Sequence, residues 1–391
     1  MFRVLTLNNI SPLGLAKLPR DRFEVGSTLE DPDAILLRSF NMHSYTAGAA
    51  LKAVGRAGAG VNNIPVASMS ARGIPVFNAP GANANAVKEL VIAGMLIAAR
   101  NIFGAFDFAR GLSGTDAEIG KAVEAGKKDY AGFELPGRTL GVVGLGAIGR
   151  LVANAAVSLG MDVVGFDPSI TVEGAWQLSS SVRRATTVDE LLRQVEFVTF
   201  HVPLIDATRR MINAERLKQM RDGAVILNFA REGIIDDEAV SAAIHAGKVR
   251  AYVCDFPTNL LKGHPRVVTL PHLGASTQEA EENCAVMVAE QVRDFLDHGN
   301  IHNSVNFPEV VVPREAGYRL VVANANVPNM LGQISTAMAD AGLNIQDMVN
   351  KSRGELAYTV VDSDSPVPEA VRARIGTIAG VMCARLIPVP L

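Results

Sequence analysis

The chain has 391 residues, 48% of them hydrophobic and 20% charged, which is long enough for two or three domains each with its own core. Its 37 basic and 40 acidic residues leave a net charge of −3 with no basic tract, so there is no electrostatic case for nucleic acid or an acidic membrane surface as partner. Three cysteines, Cys254, Cys284 and Cys383, lie far apart without CxxC spacing, which argues against a disulfide framework and against a zinc site; no metal is expected.

The first residues, Met1-Phe2-Arg3-Val4-Leu5-Thr6-Leu7, read as a short strand rather than a signal peptide. No uninterrupted apolar run reaches membrane-spanning length, and the expectation is a cytoplasmic protein. Up to about residue 96, short apolar strands at 4–7, 23–26, 34–37, 53–56 and 75–78 alternate with helical or turn segments, a small α/β layer. Two polar stretches directly follow strands: Arg56-Ala57-Gly58-Ala59-Gly60-Val61-Asn62-Asn63 and Asn78-Ala79-Pro80-Gly81-Ala82-Asn83-Ala84-Asn85. Glycine and asparagine there can present backbone amides to an anion, and Arg56 can fork to a carboxylate or phosphate. A pair of ordinary βα turns would carry the same residues.

One helix is expected over 87–110, joining this layer to the stretch that organises the chain, 140–167. Strand residues Leu140-Gly141-Val142-Val143 run into Gly144-Leu145-Gly146-Ala147-Ile148-Gly149, an apolar helical run follows, and a second strand ends at Asp167. A glycine turn between strand and helix lets the backbone approach a pyrophosphate, whose charge then rests on unpaired helix N-terminal amides. Asp167, about 20 residues after the glycines, can accept from an adenosine ribose and would repel a 2′-phosphate, which favours NAD over NADP.

The βα alternation continues with strands at 196–200, 224–229, 251–255 and 267–270. In open α/β sheets ligands bind beyond the carboxyl ends of strands, so Val202, Arg231, Asp255 and His272 are expected to converge on one crevice. Nicotinamide chemistry needs an anion clamp and a proton carrier, roles that suit Arg231 and His272. After a helix over 278–296 and a proline-marked linker, strands and helices alternate in the order βαββαβ, a ferredoxin-like layout.

The glycine fingerprint, Asp167, Asn228-Phe229-Ala230-Arg231, Asp255 and Pro271-His272-Leu273-Gly274-Ala275-Ser276-Thr277 together resemble the D-2-hydroxyacid dehydrogenases, and the resemblance covers the whole chain. It is strongest to the branch that acts on D-3-phosphoglycerate and ends in an ACT domain. The resemblance implies an α/β fold in which a Rossmann-type NAD-binding domain (97–280) is inserted in a flavodoxin-like substrate domain (1–96 and 281–306). A linker (307–317) and a βαββαβ ACT regulatory domain (318–391) complete it. It further implies that Arg231 orients the substrate, that His272 is the general acid/base, and that Arg56 and Gly58 contact the substrate. Gly144, Gly146, Ala147, Ile148, Gly149, Asp167, Val202, Phe229, Ala230, Asp255, Gly274 and Ala275 would line NAD, and Asn326 and Asn344 match effector-contacting positions. A homodimer or homotetramer is implied.

One departure concerns the mechanism. The family places a glutamate shortly after the strand ending at Asp255, paired with the catalytic histidine, but here the segment reads Phe256-Pro257-Thr258-Asn259-Leu260-Leu261. The expectation is that Asn259 or Asp255 orients His272. The alternatives are another 2-hydroxyacid dehydrogenase or glyoxylate/hydroxypyruvate reductase, and a non-catalytic NAD-sensing regulator.

Overall fold

The computed structural model describes residues 1–314 and 317–389. It divides into two compact units, Met1–Ala82 with Gln278–Leu391, and Asn83–Thr277.

The first unit begins with β1 (Phe2–Leu7), α1 (Pro12–Leu15), β2 (Phe23–Gly26), β3 (Ala34–Leu37), β4 (Ala53–Arg56), α2 (Val66–Ala71) and β5 (Val76–Phe77). The strands pair in parallel in the order β2-β1-β3-β4-β5, a flavodoxin-like arrangement. β3 reads Ala-Ile-Leu-Leu and is buried throughout, as a parallel strand covered on both faces should be.

The second unit opens with α3 (Ala84–Arg100), α4 (Ile102–Gly111) and α5 (Asp116–Gly126). The single helix expected over 87–110 is therefore two, bent by 63°. Asn101 breaks it by taking a left-handed backbone (φ 49°), which asparagine tolerates, while its side-chain amide donates to the carbonyls of Tyr130 and Ala131. The alternation then runs β6 (Thr139–Val143), α6 (Ala147–Ser158), β7 (Asp162–Phe166), α7 (Val172–Trp176), β8 (Arg183–Arg184), α8 (Val188–Gln194), β9 (Phe197–Phe200), α9 (Ala214–Gln219), β10 (Ala224–Asn228), α10 (Asp237–His245), β11 (Val249–Cys254) and β12 (Val267–Thr269). The parallel order is β12-β11-β10-β9-β6-β7-β8, so the winding reverses between β9 and β6. That reversal is where a Rossmann sheet opens a crevice at the carboxyl ends of its strands.

Returning to the first unit, α11 (Gln278–His298) is followed by β13 (Tyr318–Ala325), α12 (Met330–Asp340), β14 (Ile345–Arg353), β15 (Leu356–Ser363), α13 (Glu369–Gly376) and β16 (Val381–Ile387). These strands form an antiparallel sheet in the order β14-β15-β13-β16. Both faces are apolar because successive β13 residues alternate: Leu320 and Val322 pack with Met330, Ile334 and Ile375, while Val321 and Ala323 join Val288, Val292 and Phe295 of α11. Of the stretch expected as a linker, Phe307, Val310 and Val312 are buried in that same core. Residues 315 and 316, and positions 390 and 391 of the expected C-terminal domain, lie outside the described residues.

Candidate active site

β6 ends at Val143 and the chain turns on three glycines, each with its own physical reason. Gly144 has φ 90°, and a Cβ there would lie 2.7 Å from the His201 carbonyl oxygen and 2.8 Å from Val202 Cγ1. At Gly149 a Cβ would lie 1.9 Å from the Gly144 carbonyl oxygen, so only glycine lets α6 sit this close to the turn. Nothing stands within 4 Å of a Cβ at Gly146, the residue that starts α6. The space above Gly146 is open, and α6 carries no side-chain cap, leaving its first amides for an anion. Exposed Ala147 opens that first turn, whereas Ile148 is packed against the core.

Asp167, just past β7, braces the turn by accepting from Leu145 N and Ser169 N, both at 2.8 Å. Each carboxylate oxygen keeps a lone pair for a further donor. Val202 covers Gly144, and next to it the His201 imidazole meets Thr199 Oγ1 at 3.1 Å through Nε2 while Nδ1 has no partner. Burial pushes the pKa of His201 down to about 3, so it stays neutral and carries no charge into the crevice.

Beyond β10, Asn228 folds the loop: its side-chain oxygen accepts from Ala230 N at 3.2 Å and its amide donates to the Arg231 carbonyl at 3.0 Å. The turn leaves the Arg231 side chain exposed. Phe229 points the other way, 6% exposed and against Gly94 of α3, so at that position only the backbone can face a ligand. Past β11, Asp255 is 1% exposed; its Oδ2 accepts from Gly274 N at 2.8 Å and its Oδ1 is buried without a partner. Beside Gly274, Ala275 is partly exposed. His272 N donates to the Asp255 carbonyl at 3.2 Å, and its imidazole is exposed. Glycine turn, Asp167, Val202, Arg231, Asp255 and His272 thus all follow carboxyl ends of strands of the one sheet.

The first unit holds the other candidates. Arg56 ends β4 and donates from Nε to the Arg38 carbonyl at 3.1 Å, while a Cβ at Gly58 would lie 2.0 Å from Arg56 Nη1, so that glycine makes room for the guanidinium. Arg38 itself follows β3 and forms an ion pair with Glu281 of α11. Burial pushes the pKa of the nearby Cys284 thiol up, and the charges of Arg38 and Arg56 pull it the other way. A cavity of about 240 Å³ is lined by Asn9, Ser11, Arg38, Ala57, Glu281 and Glu282, so Arg38 but not Arg56 stands in its wall. Sequence reasoning did not single out Arg38, because Ser39-Phe40-Asn41 after it lack the glycines that drew attention to Arg56.

Residues 102–274 match the family model of the D-isomer specific 2-hydroxyacid dehydrogenase NAD binding domain. A D-3-phosphoglycerate dehydrogenase of Methanocaldococcus jannaschii is 36% identical over 87% of this chain and 63% of its own length. One of Haemophilus influenzae is 31% identical over 94% of this chain and 89% of its own length. The chain belongs to the D-isomer specific 2-hydroxyacid dehydrogenases.

Among solved structures, the NAD-bound 3-phosphoglycerate dehydrogenase of Entamoeba histolytica superposes with a TM-score of 0.60 at 25% identity, covering 78% of this chain and 98% of that one. A D-mandelate dehydrogenase of Rhodotorula graminis, at 24% identity and a TM-score of 0.67 over 80% of this chain and 99% of that one, shares the fold. The family is one of NAD-dependent dehydrogenases, the chain spans less than two thirds of the length of several of its D-3-phosphoglycerate dehydrogenase relatives, and its residues fit that cofactor. The open space at Gly146, the uncapped start of α6 and the orphaned Asp255 Oδ1 supply a place for a pyrophosphate and an acceptor for a carboxamide donor.

One expectation needs correction. Neither Asn259 nor the Asp255 carboxylate bonds the His272 imidazole: Asn259 is exposed, and Asp255 spends its carboxylate on Gly274 and reaches His272 only through its carbonyl. The ring of Phe256 meets the imidazole instead, centroids 5.3 Å apart at 67°. Asn326 and Asn344, matched above to effector-contacting positions, lie far apart within one chain. Asn326 donates to the Gly354 carbonyl at the end of the sheet where Ala325 pairs with Leu356, and Asn344 donates to Asp364 at the end where Ile345 pairs with Ser363. Roughly 20 Å of strand separates them.

Proposed function

We propose that this dehydrogenase oxidises D-3-phosphoglycerate to 3-phosphohydroxypyruvate with NAD, the first step of L-serine biosynthesis. The observation that carries this reading is the arginine pair at the ends of β3 and β4, additional to Arg231. A 2-hydroxy acid needs one cationic partner for its carboxylate; a second, bidentate-capable cluster suits a substrate with a phosphate at its other end. NAD supplies the hydride acceptor. Arg231 holds the carboxylate and polarises the oxygen at C2, and His272 accepts the hydroxyl proton as that oxygen becomes a carbonyl. Arg56, next to the room left by Gly58, and Arg38 take the phosphate. Gly144, Gly146 and Gly149 with Asp167, and Asp255 with Gly274 and Ala275, hold the cofactor.

The wider context follows from the same reading. The exposed apolar side chains of α4, Ile102, Phe103 and Phe106, suit a homodimer contact. The three unpaired cysteines suit a reducing, cytoplasmic compartment. The C-terminal βαββαβ module is the regulatory ACT domain; because Asn326 and Asn344 lie at opposite sheet ends, an amino-acid effector such as L-serine would need one residue from each of two chains.

The test is NADH formation from NAD with D-3-phosphoglycerate against unphosphorylated D-2-hydroxy acids, together with NADH consumption on hydroxypyruvate, in wild type and Arg38→Ala. The expected outcome is a preference for the phosphorylated substrate that Arg38→Ala removes through KM. Equal or better turnover of unphosphorylated acids would assign the chain to another branch of the family, and NAD binding without turnover of any acid would make it a sensor.

A further inference from the structure

His272 stands on a left-handed backbone, φ 56°, which a non-glycine residue keeps only when its surroundings over-determine it. The surroundings are visible. Leu270 N donates to the Cys254 carbonyl at 2.8 Å, His272 N to the Asp255 carbonyl at 3.2 Å, Gly274 N to Asp255 Oδ2 at 2.8 Å, and Ser276 N closes the loop on the Leu273 carbonyl at 2.9 Å. These bonds fasten the backbone to the end of β11 and leave the two side-chain torsions of the histidine free. The imidazole makes no hydrogen bond or ion pair among the described residues, and it is the Phe256 ring, placed by the same strand end, that meets it in a tilted edge-to-face contact.

We propose that Phe256 is the positioning residue of His272, selecting its rotamer by ring contact where a carboxylate would select it by hydrogen bond. This rests on the reading of His272 as the acid/base. An edge-to-face pair favours one rotamer over its rivals by roughly two- to tenfold, a bias that acts on the fraction of enzyme ready to take a proton. The chemical consequence differs from that of a carboxylate partner. A phenyl ring carries no formal charge and accepts no conventional hydrogen bond, so it does not fix the tautomer as a carboxylate would. Phe256 therefore governs how often the imidazole is aimed.

The experiment uses the full-length enzyme with NAD and D-3-phosphoglycerate. Phe256→Leu is expected to lower kcat by about two- to tenfold, with KM and NAD affinity within about twofold of wild type and the midpoint of the kcat/KM pH profile unmoved; Phe256→Tyr restores most of the loss. In the wild-type protein, NMR is expected to show a cross-relaxation contact between the Phe256 ring and the His272 imidazole protons. Wild-type kcat in Phe256→Leu, a displaced pH midpoint, NAD affinity lost in step with kcat, or absence of the ring contact each overturns the proposal. His272→Gln separates the two layers: if it turns over like wild type, the acid/base reading falls and takes this proposal with it. If it is inactive while Phe256→Leu is fully active, only the role of Phe256 falls.

Discussion

At the scale of single residues, two glycines of the same turn make opposite demands. Gly149 faces inward, where a methyl would meet the Gly144 carbonyl oxygen at 1.9 Å; Gly146 faces open space with φ −67°, a conformation any residue adopts. Gly149→Ala is therefore expected to lower both thermal stability and NAD affinity. Gly146→Ala should leave unfolding within about 0.5 kcal/mol of wild type while weakening NAD by about tenfold or more, since its methyl takes the room needed for a close backbone approach. Calorimetric unfolding and NAD titration of both variants check this, and a Gly146→Ala protein that binds NAD normally would remove the cofactor from that space. The glycines, Asp167, Arg231 and His272 were legible in the sequence because each follows a recognisable strand. Phe256 was not: at the position where an acid was sought, an aromatic residue read as its absence.

At the scale of elements, apolar periodicity located most strands but not what holds the irregular stretches. The helix expected over 87–110 breaks at Asn101 because one left-handed residue, invisible to hydrophobic pattern, redirects the chain. Similarly, prolines and Asn306-Phe307-Pro308 suggested a linker, yet Asn306 binds its surroundings on both sides. Its oxygen accepts from Val76 N and Ser304 Oγ at 2.9 Å, and its amide donates to Ser70 Oγ and the Ile74 carbonyl at 3.0 Å. This side chain extends β5, itself only two residues long, by pairing its edge with the segment after α11. Asn306→Ala strands the buried Val76 N–H, so a loss of about 1–3 kcal/mol is expected. Urea unfolding would register it as a lower midpoint at unchanged slope; no change in midpoint would show that water replaces the amide at no cost.

At the scale of the whole molecule, one buried arginine joins the C-terminal sheet to the end of α11, beside the bonds that Arg353, Tyr358 and Arg385 make to the carbonyls of Ser304, Gly299 and Phe295. Arg319, 1% exposed, uses its guanidinium on both oxygens of Asp362 at 2.7 Å, on the carbonyls of His298 and Val312 at 2.9 and 3.0 Å, and on that of Pro313 at 3.3 Å. One cation thus ties β13 and β15 to the end of α11 and to the strap between them. Arg319→Met leaves Asp362 buried and unpaired, with an expected cost of about 3–5 kcal/mol, and Arg319→Met with Asp362→Leu should recover much of it. If the double variant is no more stable than the single one, the carbonyl bonds, rather than the charge pair, fasten the sheet.

The sequence by itself determined the cofactor half: the glycine turn, the acid 20 residues on and the ends of β9, β10 and β11 are local patterns, each written within a few residues of its strand. It also determined the βαββαβ order of the C-terminal module, because strand and helix periods are local too. What only the tertiary structure decided are relations between distant residues. Arg38 and Arg56 meet because β3 and β4 are neighbours, Asn326 and Asn344 part because β13 and β14 start from the same end, and His272 rests against Phe256 because β11 and β12 pair. Periodicity fixes which residues form a strand and which face each presents; which strand lies beside it is fixed by the packing of the whole sheet.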